Sequence, residues 1–153
     1  MFAVDLKIAR PVNVVFTQLA RIEDSPLWYS ALKSVDQRHL GPIGVGTRFS
    51  FRRDLGGNDV INEVEVTALE PDRVLELKSI SGPTPFVYRY ELAPAVDGTT
   101  LRLEGAISGM GLKGPIVLLS PLAEGFFRRG MIDNLKSLRR LIENASSSSA
   151  RVR

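Results

Sequence analysis

Between Val35 and Met110 the chain alternates apolar and polar residues in six successive stretches, after one short helical pattern and before one long one. Successive side chains of a strand point to opposite faces, so each stretch buries one face only. The pattern describes an antiparallel sheet with one buried side. The closing amphipathic helix is the only element long enough to cover that side. A concave interior follows, and the candidate functional residues are those facing into it.

The faces read strand by strand. Phe2, Val4, Leu6 and Ile8 alternate with Ala3, Asp5, Lys7 and Ala9 as a half-buried first strand. Pro11 suits a first helical position, where its missing N–H costs nothing, and Val12, Val15, Phe16 and Leu19 follow at helical spacing. Ser25-Pro26 reads as the cap and first residue of a second short helix running through Tyr29. Val35, Gln37 and His39 share one face of the second strand, and the run from Gly41 to Gly46 breaks the chain before the third. Phe49, Phe51 and Arg53 share the next inner face. Beyond a turn at Gly56-Gly57-Asn58-Asp59 come Val60, Asn62, Val64, Val66 and Ala68. Pro71-Asp72 turns the chain into Leu75, Leu77 and Ser79, and Phe86, Tyr88, Tyr90 and Leu92 form the following inner face. A hairpin signal at Asp97-Gly98 precedes Leu101, Leu103, Gly105 and Ile107. The opposite faces carry Glu63, Glu65, Glu76, Lys78, Arg89, Glu91, Arg102 and Glu104, charges of both signs able to pair across strands.

The closing helix opens at Ser120-Pro121, with Glu124 near the positive end of its dipole. Phe127, Met131, Leu135, Leu138 and Ile142 step by three or four residues as an apolar stripe. Residues 1–144 read as a single domain, and Ala145 to Arg153, with four serines in a row, as a disordered tail. Ahead of the helix, Gly109-Met110-Gly111-Leu112 and Ile116-Val117-Leu118-Leu119 form an apolar approach far too short to span a bilayer. Its glycines make it a candidate gate at a pocket mouth, or a patch that touches membrane.

Composition removes several function classes. The absence of cysteine excludes disulfides, thiolate metal sites and a cysteine nucleophile. With one histidine, His39, no zinc site is expected, and its place at a strand end beside a glycine turn reads as solvated surface. There is no G-x-S-x-G elbow, and the strand carboxylates fall on outward faces, so no catalytic residue is assigned. The net charge of +3 comes from 20 basic and 17 acidic residues whose signs interleave, Arg48 and Arg52 on one strand facing Glu63 and Glu65 on the next. No nucleic-acid partner is expected from that pattern. The loop from Gly41 to Gly46 lacks the Lys-Ser/Thr ending of a P-loop and leads into a strand, so it reads as a turn. The opening residues place Asp5 inside any apolar run and offer no cleavage site, so no signal peptide is expected and a cytoplasmic location is the default.

The inner faces are not purely aliphatic: Arg53, Asn62, Ser79, Tyr88 and Tyr90 fall on them. A buried polar group without a partner costs about 1–3 kcal/mol, and a buried charge more unless it is paired. These positions are easiest to explain as the lining of a cavity that holds water or ligand. The competing reading sends the tyrosine hydroxyls to the rim and leaves Arg53 in solvent at a strand end. Trp28, at the end of the second helix, serves either as a stacking surface for a ligand or as a core plug.

The order strand, two helices, six strands, long helix resembles the helix-grip superfamily (SRPBCC) of START lipid-transfer domains, plant pollen allergens and bacterial polyketide cyclases. The resemblance runs from Val4 to Asn144. It rests on Ile8-Ala9-Arg10-Pro11 with Val15-Phe16 and Leu19, on Pro26 and Trp28, and on Val45-Gly46-Thr47-Arg48. Tyr90-Glu91-Leu92 with Gly98-Thr99, and Asn134-Leu135-Lys136, complete it. It implies an α+β helix-grip fold: a curved antiparallel sheet of about seven strands wrapped around a long C-terminal helix, with two short helices after the first strand. It further implies an internal pocket for a hydrophobic, lipid- or polyketide-like molecule, without a dedicated cofactor. The residues expected at its wall are Trp28, Phe49, Phe51, Arg53, Asn62, Val64, Leu77, Ser79, Tyr88, Tyr90, Leu103, Met131 and Leu135. The alternative is a polyketide cyclase or dehydratase-like enzyme, in which the resemblance implies Arg53 stabilising an enolate and Tyr88 or Tyr90 donating a proton. A third expectation is a regulatory or interaction protein with a vestigial cavity. Beyond the ligand, at most a transient membrane contact is expected, and a monomer or homodimer.

Overall fold

The alternating stretches form a seven-stranded sheet in a computed structural model that describes residues 1–107 and 120–151. The strands are β1 (Phe2–Ile8), β2 (Leu32–Gln37), β3 (Arg48–Leu55), β4 (Asn58–Glu70), β5 (Val74–Ser81), β6 (Phe86–Ala95) and β7 (Gly98–Ile107). Their spatial order is β1-β7-β6-β5-β4-β3-β2, and every neighbouring pair is antiparallel. Thus β2 to β7 make a continuous meander, and β1 closes onto β7 with Phe2 opposite Gly105 and Ile8 opposite Thr99. Helix α1 (Val12–Ala20) and a 3-10 helix (Ile22–Leu27) carry the chain from one edge of the sheet to the other. Helix α2 (Ser120–Arg151) packs against β1, β7 and α1.

The sequence dictates these elements locally. The β3–β4 hairpin turns through Gly56 and Gly57, whose φ values of +64° and +88° suit a two-residue turn that matches strand twist. The inner faces of the strands and the α2 stripe Met131, Leu135, Leu138 and Ile142 merge into one buried cluster. On the outer face, Arg48 pairs with Glu65 at 3.3 Å, Arg52 with Asp59 at 2.6 Å, Arg89 with Glu76 at 3.3 Å and Arg102 with Asp5 at 3.0 Å. Solvent screens such pairs, so they specify strand register more than they stabilise the sheet. The helix-grip architecture implied by the resemblance is the one observed.

Local expectations shift in three places. The second short helix starts earlier than Ser25-Pro26 and is 3-10, with Pro26 inside it. Ser25 does not cap it with its side chain; its carbonyl accepts the N–H groups of Trp28 and Tyr29 at 3.1 and 2.8 Å. The earlier start lets Ile22, only 2% exposed, plug the core. In β2 Val35 and half-buried Gln37 share a face as expected, Leu32 joins that face, and His39 lies exposed beyond the strand's end. An irregularity between Leu32 and Ser34 shifts the pleat by one residue there, as a bulge does. Pro11 precedes α1 as its N-cap, its carbonyl accepting from Val14 and Val15. The approach segment 109–119 lies outside the described residues.

Candidate functional site

Every residue expected at the pocket wall is buried, and the apolar ones belong to one core cluster that includes the α2 residues Met131 and Leu135. Phase explains this: Phe49, Phe51 and Arg53 on β3, Asn62 and Val64 on β4, Leu77 and Ser79 on β5, Tyr88 and Tyr90 on β6, and Leu103 on β7 all share the concave face. Met131 and Leu135 meet them from α2.

The polar members form a connected cluster around Arg53. Its side chain is 1% exposed, which corrects the alternative that placed it in solvent at a strand end. Arg53 stands opposite Val60 on β4, so Asn62 is its diagonal neighbour, a spacing that a long side chain spans. Arg53 Nη2 donates to Asn62 Oδ1 at 2.6 Å, to the Pro83 carbonyl at 3.2 Å and to the Thr84 carbonyl at 3.3 Å, and also contacts Thr84 Oγ1. Asn62 Nδ2 in turn donates to Ser79 Oγ at 3.1 Å, to the Ser81 carbonyl at 3.2 Å and to the Pro83 carbonyl at 2.7 Å. The guanidinium carbon lies 5.0 Å from the centre of the Phe86 ring. Among the described residues no carboxylate lies within ion-pair distance of Arg53, and its Nε–H is buried without an acceptor.

An aromatic belt continues from that point. Phe86 stacks on Tyr88 with centroids 4.8 Å apart, and the Tyr88 and Tyr29 hydroxyls are 3.5 Å apart. Burial pushes the Tyr88 hydroxyl well above the ordinary tyrosine range, with the Tyr29 hydroxyl adding to the effect; burial does the same to Tyr90. Both therefore stay protonated at neutral pH. Trp28 packs beside Tyr29 at 6.1 Å, and its indole N–H is also buried without an acceptor among the described residues. Helix α2 is tied to this wall by Asn134, whose Oδ1 accepts the Ser30 N–H at 3.1 Å.

Sequence phase does not reveal Thr84, Pro83 or Tyr29. Thr84 and Pro83 lie in the β5–β6 loop, outside any alternating stretch, and Tyr29 follows the 3-10 helix. Thr84 is fully buried and adopts φ +49°, which a β-branched residue avoids. The only hint in the sequence is the flanking Gly82-Pro83-Thr84-Pro85 run, a turn signal with no chemistry of its own. His39 is exposed beyond the end of β2, away from this cluster. Among the described residues no group of three or more histidine and acidic side chains converges to hold a metal ion, and no helix is long and apolar enough to cross a membrane. A separate cleft of about 340 Å³ between α1 and α2 is lined by Arg10, Asn13, Val14, Thr17, Gln18, Arg21, Ile142 and Ala145, none of them expected wall residues.

Comparison with known proteins agrees with this fold. No curated protein matches the sequence. Among solved structures, a START superfamily protein from Mycobacterium smegmatis superposes with a TM-score of 0.78 at 14% identity, covering 94% of this chain and 97% of that one. The Zhui aromatase/cyclase from Streptomyces sp. R1128 gives 0.74 at 15% identity, with 99% and 94% covered. A protein from Thermus thermophilus gives 0.77 at 19% identity, with 94% and 97% covered. At such identities these likenesses concern the fold alone. The sequence itself matches the family described as polyketide cyclase / dehydrase and lipid transport over residues 1–143. On that match, nearly the length of the chain, the protein belongs to the polyketide cyclase / dehydrase and lipid transport family.

Proposed function

We propose that the protein binds a hydrophobic small molecule between the concave face of the sheet and α2, in contact with the Arg53 cluster. The observation that carries this reading is a fully buried arginine held, among the described residues, only by neutral groups, with an Nε–H that has no acceptor. Replacing a buried ionic group by apolar side chains is often neutral or stabilising, so a core built for stability alone has little use for it. Apolar walls with a few convergent polar groups are the usual form of a small-molecule site. The family description, which includes lipid transport, agrees. Native mass spectrometry of the freshly purified full chain tests the reading. A co-purifying apolar mass, or stoichiometric uptake of an added alkyl or polycyclic compound, supports it. An interior that takes up none of these favours an interaction protein with a vestigial cavity.

A second reading is a cyclase or dehydratase-like enzyme using the same interior. It is favoured by a Tyr88 hydroxyl that burial keeps protonated and that stacks on Phe86, the ring under the Arg53 guanidinium. In that chemistry a cation stabilises a developing enolate while a hydroxyl donates a proton. Incubation with a poly-β-ketone substrate tests it. Product lost in Tyr88→Phe and Arg53→Ala supports it, and no product above those variants removes it.

A further inference from the structure

The described residues surround Arg53 with dipoles but not with charge. Among the described residues, four acceptors crowd one nitrogen, Nη2, which carries only two hydrogens, while the Nε–H has none. No carboxylate of the described residues completes the pair. A guanidinium presents its donors as a planar fork that matches a carboxylate, and the Nε–Nη2 edge is one such fork.

We infer that the molecule taken into this interior is an amphiphilic acid, a carboxylate on an apolar body, with the head seated on Arg53. The inference rests on the reading that the interior binds an apolar molecule, and it narrows the class. The loop between β5 and β6 supplies the means of access. Thr84 is held at φ +49° while its carbonyl and hydroxyl both engage Arg53 Nη2. Backbone of this kind persists only where neighbours enforce it, and such positions cluster at ligand clamps. A carboxylate arriving at the Nε–Nη2 edge replaces the Thr84 contacts and releases that loop. Phe86 lies under the guanidinium and packs on Phe51 and Tyr88, and these belong with Leu77, Leu103 and Leu135 to one buried cluster that offers an apolar body surface.

Displacement of the neutral fluorophore N-phenyl-1-naphthylamine from the full chain tests the inference, with dodecanoic acid, dodecan-1-ol and methyl dodecanoate as competitors at pH 8. A charge-assisted contact predicts that the acid displaces the probe at about tenfold lower concentration than the alcohol or ester. In Arg53→Gln that preference is expected to fall to within about threefold. Arg53→Lys keeps the charge but not the fork; it serves if Arg53→Gln loses its native circular dichroism, and the preference is expected to fall in it too. Equal displacement by all three compounds in the wild-type chain overturns the acidic head while leaving apolar binding intact. A preference that persists in both variants overturns the assignment to Arg53. A chain that binds neither probe nor competitor removes both readings together.

Discussion

The Arg53–Asn62 hydrogen bond is the link on which the polar cluster turns, and a double-substitution cycle measures it. Among the described residues, Arg53→Met takes away the only side-chain donor to Asn62 Oδ1 and to the Thr84 carbonyl. Each orphaned acceptor costs about 1–3 kcal/mol, offset in part by relief of the buried charge. Asn62→Leu removes the acceptor 2.6 Å from Nη2 and leaves the guanidinium to the loop oxygens. A bond to a charged group contributes about 1.5–3 kcal/mol. The double variant loses that bond once, not twice, so the two substitutions are expected to couple by about 1.5–3 kcal/mol. The double variant is then markedly more stable than the sum of the single costs implies. Urea unfolding followed by the fluorescence of Trp28, the single tryptophan, gives the four stabilities. Additivity within about 0.5 kcal/mol would mean that the two side chains do not share a buried bond, and the description of the site would fail.

Two further predictions concern the same wall. Because burial raises the Tyr88 and Tyr90 hydroxyls, both folded and unfolded chains keep these protons below about pH 10. Above that, the unfolded chain releases protons that the folded chain retains, so stability falls with rising pH by up to about 1.4 kcal/mol per unit for each tyrosine. Urea midpoints between about pH 9 and 11 should fall more steeply for wild type than for Tyr88→Phe/Tyr90→Phe; equal slopes would contradict the burial of these hydroxyls. At Gly82, φ is +101° and an added Cβ would collide with the Ile61 carbonyl and approach Asn62 Nδ2 to 2.9 Å. Gly82→Ala is therefore expected to destabilise by about 2–3 kcal/mol in the same urea assay, and a change under about 0.5 kcal/mol would show that the loop is not held where described.

Much of this is legible from period-two alternation. Arg53, Asn62 and Ser79 each fall in phase with apolar neighbours on three consecutive strands, which suffices to predict that they face inward together. Phase says nothing of partners. Whether Arg53 meets an acid or a carbonyl depends on the β5–β6 loop, whose Pro83 and Thr84 oxygens no periodicity places. The same limit explains the shift in β2. A bulge between Leu32 and Ser34 exchanges the two faces, and nothing in Leu32-Lys33-Ser34 announces it. The 3-10 helix departs from expectation because Ser25-Pro26 has the chemistry of a helix start, while burial of Ile22 decides where the turn begins. The outer charges are simpler: opposite signs on adjacent strands are enough to predict pairs such as Arg48–Glu65.

Whether an apolar molecule enters between the sheet and α2 is read from intermolecular NOEs in methyl-labelled full-length protein mixed with N-phenyl-1-naphthylamine, a probe with no acidic group. Contacts are expected from the probe's ring protons to the methyls of Val64, Leu77, Leu103 and Leu135, which belong to one buried cluster. Contacts confined to outward methyls such as Ile61 and Ile80, or no contacts from a probe at saturating concentration, would contradict that expectation.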